Sequence, residues 1–353
     1  MTPEKIRTVP PRAAAALAAA CAVCAAVCAL GLALVAGCGG KYEKPVELSR
    51  TITMGEYSYL PAFRGFENAT SLSVSGGSLY VAFADTLAEP PSGTVKAYFS
   101  GGEPIPENLV RPFTGLQRPT VVGAGKRTIA VADRADKIYV RTYGLSGGAP
   151  TVSFTDPDWS QVSGLAVDDS GNIYVADAAR NFVRAYKPDG RKLFQVDLAD
   201  SGFGFGHVMR PTGIAVDGST LLISEADAEK AQVQRIRTDQ PQTGVPFSAT
   251  VPFIIFFTDE DGNDVLLVSP AGVAAGREGS VFILDRGLGQ ILRFDAQGDF
   301  VTVVNSAASG GPSNLADAVS IDTYNRPGSA ASIYVLDAAR GLIHRWDPKN
   351  EQG

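Results

Sequence analysis

The chain has 353 residues, of which 45% are hydrophobic and 19% are charged, and its formal net charge is −6. A hydrophobic fraction of this size supplies a sizeable core and excludes a globally disordered chain. The negative charge argues against a nucleic-acid-binding surface over the whole molecule, so no nucleic-acid partner is expected.

The first 37 residues have the pattern of a secretory signal. An uncharged apolar run over 13–37 follows three basic residues, Lys5, Arg7 and Arg12, and such segments are removed on export. The run ends in Val-Ala-Gly directly before Cys38. This ending resembles the lipobox of bacterial lipoproteins, in which the cysteine is acylated and becomes the N-terminus. The resemblance implies a signal peptide over 1–37 and a lipidated tether over 38–45. An uncleaved anchor is the alternative, because the run could span a bilayer of ~30 Å.

Lipidation at Cys38 predicts where the protein resides. The mature chain would keep 28 basic and 36 acidic residues, a net charge of −8. Its N-terminal lipid would hold it to a membrane of the bacterial cell envelope, facing outside the cytoplasm. Gly39, in place of the Asp associated with inner-membrane retention, favours the outer membrane where there are two.

The rest of the chain repeats one unit, which is clearest over 164–186, GLAVDDSGNIYVADAARNFVRAY. Two short apolar strands flank a turn of Asp, Ser, Gly and Asn, and a third strand follows. A Gly-containing turn then leads to a fourth strand. Four strands per unit, at spacings of 44 to 59 residues, are typical of a β-propeller blade. Six units are predicted, starting near residues 71, 120, 164, 213, 272 and 318.

This unit is similar to the NHL repeat in its Gly-Ile-Ala-Val-Asp and Ile-Tyr-Val-Ala-Asp segments and its closing basic–apolar strand. The similarity covers roughly residues 60–350. It implies an all-β, six-bladed propeller of four-stranded antiparallel blades over 46–353, which we expect to be monomeric. A parallel β-solenoid is the alternative, but the reverse turns within each unit favour antiparallel strands.

Two segments depart from the plain repeat. Residues 46–54, VELSRTITM, alternate like a lone strand, and the sixth unit has only three strands. Because an open ring would leave two unpaired edges, the segment 46–54 is predicted to close the last blade. The fourth unit carries an insertion over 238–267, predicted to continue an outer strand into a hairpin at Asp261-Gly262. The insertion is also a candidate partner surface.

An aspartate ends the second strand in four of the units, as Asp133, Asp177, Asp285 and Asp337, with Asp227 near the equivalent place in a fifth. Scaffolds keep such symmetry, whereas active sites break it. These residues are therefore predicted to accept backbone N–H bonds. A metal or catalytic ring is the alternative.

One face of the predicted propeller is rich in arginine. The loops entering each first strand and those between second and third strands emerge on the same face, where the sequence places Arg118, Arg134, Trp159, Arg180, His207, Arg210, Arg286 and Arg340. Guanidinium groups hold carboxylate or phosphate bidentately, so this face is predicted to bind an acidic protein patch or an anionic glycan. Local pairing of each arginine with a neighbouring Asp is the alternative, and Asp156 and Asp158 on the same face dilute its charge.

Residues for catalysis are not recognisable. The insertion offers a weak calcium candidate at Asp259, Asp261 and Asn263, without EF-hand spacing. Propeller lyases that resemble this fold use several histidines, and this chain has two. No catalytic residue and no cofactor are therefore assigned. The prediction is a lipid-anchored binding or scaffolding propeller, and the alternative is a metal-dependent lyase or lactonase with calcium in the central channel.

Overall fold

The structure, a computed structural model, describes residues 57–85, 87, 91–196, 208–228, 231–238, 251–259, 261–326 and 329–349. Cys38, the segment 46–54 and His207 lie outside these residues. Within them, regular structure is β-sheet apart from one 3-10 turn at Arg277–Gly279. The described part of the chain has no helix long and apolar enough to cross a membrane.

Six antiparallel sheets surround a central channel, each sheet forming one blade. From the channel outward, blade 1 comprises Ala69–Ser75, Ser78–Asp85 and Ser92–Phe99. Blade 2 comprises Pro119–Ala124, Thr128–Arg134, Ile138–Gly144 and Val152–Phe154. Blade 3 comprises Val162–Val167, Ile173–Asp177, Phe182–Tyr186 and Lys192–Val196. Blade 4 comprises Pro211–Asp217, Thr220–Ala226, Ala231–Arg237 and Val251–Ile254. Blade 5 comprises Pro270–Ala275, Val281–Asp285, Gln290–Phe294 and Phe300–Val303. Blade 6 comprises Ala318–Tyr324, Ser332–Asp337, Leu342–Pro348 and, outermost, Tyr57–Arg64.

Two short strand pairs lie outside the blades. Phe256–Thr258 pairs with Asp264–Leu266 in the hairpin predicted for the insertion. Arg111–Phe113 pairs in parallel with Gly147–Gly148. In blade 1 the outer position is reduced to an isolated bridge between Tyr98 and Pro104. The prediction of a six-bladed propeller with four-stranded antiparallel blades is confirmed.

The second strand of a blade is covered on both faces, and a continuous apolar sequence allows this. Every residue of Ile173–Asp177 is buried, as expected for a strand between two neighbouring blades. The clusters that result span pairs of blades: Val140 of blade 2 packs in one cluster with Leu165 and Val175 of blade 3. The core is therefore a ring of inter-blade layers, which a single unit could not form alone.

The ring is closed by the strand Tyr57–Arg64, which pairs antiparallel with Leu342–Pro348. The segment predicted for this position was 46–54, so the closing strand lies further along the chain than predicted. Alternation alone suggested 46–54. Tyr57 and Tyr59 stabilise the strand Tyr57–Arg64 in the outer position of blade 6, because both pack in the cluster that contains Trp346.

Candidate functional site

The six innermost strands begin on the same face of the propeller, which we call the entry face. Thr70 Oγ1 of blade 1 donates a hydrogen bond to the Pro119 carbonyl of blade 2 at 2.9 Å, and equivalent bonds join blade 3 to 4 and blade 4 to 5. Each second strand ends beside the start of the first, as in the pair Val162 and Asp177. The loops between blades and those between second and third strands therefore share the entry face. The remaining turns lie on the opposite face, the exit face.

The strand-end acids serve the backbone of the entry-face loops. Asp177 is fully buried. Its Oδ2 accepts the N–H groups of Ser160 and Gln161 at 2.7 and 2.9 Å, and its Oδ1 accepts those of Ala179 and Arg180 at 3.1 and 3.0 Å. The equivalent buried acids also accept backbone N–H groups: Asp133, Asp285 and Asp337. The repeated aspartate is a structural device that ties loops to blades.

Blade 4 departs from this pattern. Glu225, rather than Asp227, lies opposite the strand start at Pro211. It is fully buried and accepts bonds from Gln232 Nε2 and Gln234 Nε2 at 2.9 and 2.5 Å. The sequence assignment of Asp227 was wrong because it followed the nearest aspartate instead of the strand register.

Three of the predicted arginines are engaged locally. The guanidinium groups of Arg134 and Arg286 donate to backbone carbonyls at 3.4 and 2.7 Å. Arg340 forms an ion pair with the buried Asp337, with Nη1 and Oδ2 at 2.6 Å. These side chains stabilise entry-face loops.

The other three predicted arginines are Arg118, Arg180 and Arg210. All three are exposed, and their guanidinium groups have no hydrogen-bond or ion-pair partner among the described residues. Arg210 has a left-handed φ of 46°, and its backbone N–H is held by Asn181 Oδ1 at 2.8 Å. The entry face therefore carries three positive groups available to a ligand.

The two acids expected to dilute this charge share one arginine, which balances one of their two negative charges. Arg184, on the third strand of blade 3, is 5% exposed. Its Nη1 and Nη2 lie 2.8 and 2.9 Å from Asp156 Oδ2 and Asp158 Oδ2. Tyr186 Oη donates to the same Asp156 oxygen at 2.7 Å. Burial acts against the charged form of Asp156, but these hydrogen bonds and the Arg184 charge outweigh it and lower the pKa of Asp156.

Trp159 belongs to the core rather than to a ligand-binding surface. It is 8% exposed, with ring centroids 5.5 Å from Tyr186 and 5.8 Å from Phe154. Its assignment to the binding face was wrong, because an aromatic residue in a loop can also pack beneath it. His207, also assigned to this face, lies outside the described residues.

The innermost strands line a central channel of about 380 Å³. They approach closely: a Cβ added to Gly213 would lie 2.9 Å from Gly272 Cα. Among the described lining residues, Asp322 is the only ionisable one. Its Oδ2 accepts the N–H of Val74 at 2.7 Å and the hydroxyl of Ser73 at 2.9 Å, which ties blade 6 to blade 1. Burial raises the pKa of Asp322, and these bonds oppose the rise.

The candidate calcium ligands are bonded to one another in the hairpin turn. Asp259 Oδ1 accepts the N–H groups of Asn263 and Asp261 at 2.8 and 3.0 Å. The bond from Asn263 holds the pKa of Asp259 below its ordinary value. Within the described ranges, no group of three or more His, Cys, Asp or Glu could hold a metal ion. Calcium, in the turn or in the channel, stays a prediction.

The same hairpin has one apolar face in the core and one in solvent. Phe257 is 6% exposed and stacks on Phe300 with centroids 4.5 Å apart. Phe256 and Leu266, paired across the hairpin, are 56% and 64% exposed. The insertion thus places a small apolar strip beside blade 5.

His344 is the buried titratable group beside the closing strand. Its Nδ1 shares a hydrogen bond with Tyr59 Oη at 2.9 Å, and its Nε2 lies 3.7 Å from Asp337 Oδ2. Burial lowers the pKa of His344 below its ordinary 6.5; Asp337 opposes this and Arg340 adds to it.

We expect the free energy of unfolding to fall as the pH drops below about 6.5, because the unfolded chain then binds a proton that folded His344 resists. This residue can contribute a slope of at most about 1.4 kcal/mol per pH unit. Denaturant unfolding of the wild type and of His344→Gln across this pH range isolates the contribution of His344 to the pH dependence of the free energy of unfolding, since Tyr59, Asp337 and Arg340 remain in both proteins. Equal slopes in the two proteins would contradict the assignment.

Comparison with known proteins supports the fold. No protein-family model and no curated protein matches this chain. A solved structure described as a streptogramin B lyase is 14% identical, with a TM-score of 0.52, over 83% of this chain and 98% of its own. A protein of unknown function from Bacteroides thetaiotaomicron is 14% identical, with a TM-score of 0.55, over 83% of this chain and 72% of its own. A nidogen/laminin complex is 18% identical, with a TM-score of 0.46, over 67% of this chain and 80% of its own. At such identities the likeness to the first two structures shows the propeller fold alone.

Proposed function

We propose that the protein is an NHL-type propeller lipoprotein of the cell envelope that binds an anionic ligand on its entry face. The ligand is an acidic protein patch or an anionic glycan. One observation carries the proposal: Arg118, Arg180 and Arg210 lack partners among the described residues, whereas Asp156 and Asp158 are paired with Arg184.

The chemistry favours binding over a purely structural role for these three arginines. A guanidinium that stabilises a loop donates to it, as Arg134 and Arg286 do. An exposed guanidinium without such bonds adds little to stability but can form charge-assisted, bidentate bonds with carboxylate, sulfate or phosphate groups.

The membrane anchor is part of the proposal and has its own test. Acylation of Cys38 would attach the chain through lipid, with ~0.8 kcal/mol gained per buried CH₂. We expect Cys38→Ser to abolish incorporation of labelled lipid and to leave the precursor uncleaved at this site. Unchanged labelling in that variant would rule out Cys38 as the lipidation site.

Binding is tested with a triple variant, Arg118→Ala, Arg180→Ala and Arg210→Ala. In a screen of anionic glycans and acidic envelope proteins, we expect a ligand whose affinity falls about 100-fold or more in this variant, equivalent to about 2.7 kcal/mol. The matched control removes the same charge from exit-face turns: Arg127→Ala, Lys187→Ala and Arg191→Ala. A ligand that binds both variants equally well would place the site elsewhere.

A further inference from the structure

The hairpin of the insertion lies on the outer side of the ring, between blades 4 and 5. It follows the outer strand of blade 4, and across its base the N–H of Leu267 donates to the Ile255 carbonyl at 3.2 Å. Phe257, on its inner face, stacks on Phe300 of the outermost strand of blade 5. Phe300 lies at the exit end of that blade. The hairpin therefore runs from the entry face along the side of the ring.

The outer face of this hairpin is an exposed apolar strip. Phe256 and Leu266 face each other across its two strands and are 56% and 64% exposed. Val268 continues the same face at 54%, because Leu267 between it and Leu266 is buried. With Ile255, these are four of the nine large hydrophobic residues that are exposed in the described part of the chain. Single exposed apolar residues are ordinary, but a group of them marks an interaction surface.

The base of the strip lies beside an arginine. Val268 packs against Gly287 in the entry-face loop of blade 5, so closely that a Cβ added to Gly287 would overlap Val268 Cγ1. The neighbouring Arg286 holds the Ala316 carbonyl through Nε, and its Nη1 and Nη2 have no hydrogen-bond or ion-pair partner among the described residues. Because Arg286 is exposed, its guanidinium can bind a carboxylate that reaches this end of the strip.

The tip of the hairpin carries the opposite charge. Asp261 and Asp264 are exposed, and hydrogen bonding from Asn263 lowers the pKa of Asp259, so Asp259 stays ionised. The sequence has no basic residue between 251 and 276. The strip is therefore bounded by negative charge at its tip and by positive charge at its base.

This arrangement fits a protein better than a glycan, a membrane or a second copy of the chain. Protein interfaces combine an apolar centre with a polar rim, whereas the aliphatic side chains of the strip cannot bond the hydroxyl groups of a glycan. Surfaces that bind anionic lipid pair apolar residues with basic ones, and the tip here is acidic. A second copy tethered to the same membrane would present its strip in the same direction, so that the two acidic tips would repel each other.

We propose that the apolar strip docks a separate protein through a segment with two or more apolar side chains, an acidic residue at one end and a basic residue at the other. The apolar side chains cover Phe256 and Leu266. The acidic end meets Arg286, and the basic end meets Asp261 and Asp264. This contact lies on the side of the ring, so it does not depend on the anionic ligand proposed for the entry face.

The test is selection of a phage-displayed library of random peptides on the purified protein. We expect the enriched peptides to share this order of apolar and charged residues, and to bind with a Kd below about 100 μM. The double variant Phe256→Ser, Leu266→Ser should weaken them about 10-fold or more. The control Leu109→Ser, which removes a leucine that is 59% exposed elsewhere, should not. The proposal is overturned if no peptide is enriched, or if the peptides bind the double variant as tightly as the wild type.

Charge variants test the direction of docking and remain informative if the double variant does not fold. Arg286→Gln should weaken a selected peptide about 3-fold, as expected for an exposed ion pair. This effect should disappear when the acidic residue of the peptide is replaced by its amide. Asp261→Asn should show the same dependence on the basic residue of the peptide. If neither substitution changes the affinity, or if their effects persist with the neutral peptides, the proposal is wrong.

Two further measurements address the other occupants. Quenching of a Leu266→Trp variant by vesicles of brominated phosphatidylglycerol, beyond that of the unaltered protein, would assign the strip to the membrane. Sedimentation velocity that shows a dimer of the wild type but not of Phe256→Ser, Leu266→Ser would assign it to a second copy. Either result would overturn the proposal, and we expect neither.

Discussion

A chain that begins at residue 65 is expected not to fold into a closed ring, whereas a chain that begins at residue 55 should keep the full melting temperature of the propeller. The first truncation removes Tyr57–Arg64, whose pairing with Leu342–Pro348 closes blade 6. It exposes the third strand as an unpaired edge and opens the cluster around Trp346. Losing one large buried aromatic side chain alone costs about 3–5 kcal/mol, which is comparable to the whole stability of many domains.

Both truncated proteins can be compared by circular dichroism melting and size-exclusion chromatography. The chain that begins at residue 55 is the control, because it lacks 46–54 but keeps the closing strand. Two results would show that Tyr57–Arg64 does not close the ring. One is a chain beginning at residue 55 that melts far below the untruncated protein, and the other is a chain beginning at residue 65 that melts at the same temperature as the untruncated protein.

Asp177→Ala is expected to lower the free energy of unfolding by about 4 kcal/mol or more. The substitution removes the acceptor of four backbone N–H groups, at 2.7 to 3.1 Å, and each donor left buried and unpaired costs about 1–3 kcal/mol. Asp177→Asn should recover only part of the loss, because an amide nitrogen would face two of these donors. Urea unfolding monitored by tryptophan fluorescence measures the change.

The control for this substitution is Asp169→Ala. Asp169 Oδ2 pairs with Lys126 Nζ at 2.5 Å, but both side chains are mostly exposed, so the pair contributes about 0–1 kcal/mol. A loss in Asp177→Ala no larger than in Asp169→Ala would show that the strand-end acids do not hold the entry-face loops.

The sequence was sufficient to predict the blades because their signals are local. Short apolar strands and turn residues recur in each unit, and a strand-end Asp recurs in four of them. The buried strand Ile173–Asp177 is one of these apolar runs. The strand-end role of Asp177 was also predictable, since repetition itself indicates a scaffold. Where the repeat changed residue type, at Glu225, the prediction failed.

The candidate sites depend on contacts between distant segments, which the sequence pattern does not encode. Nothing local indicates that Arg184, on a third strand, pairs with both Asp156 and Asp158. The packing of Tyr57 and Tyr59 in one cluster with Trp346 likewise joins segments far apart in the chain, and it forms only when the ring closes. The aromatic residues of Tyr57–Arg64 were the one available signal for the closing strand, and alternation over 46–54 obscured it.

The direction of the closing strand also has a mechanical consequence. It runs from Tyr57 on the exit face to Arg64 on the entry face, antiparallel to Leu342–Pro348. If the protein is tethered through the chain before Tyr57 and holds a ligand on its entry face, a pull between membrane and ligand acts along this strand. Its backbone hydrogen bonds then carry the load together, in shear, instead of opening one at a time. The strand that closes the ring is thus oriented to resist the force that tethering would impose.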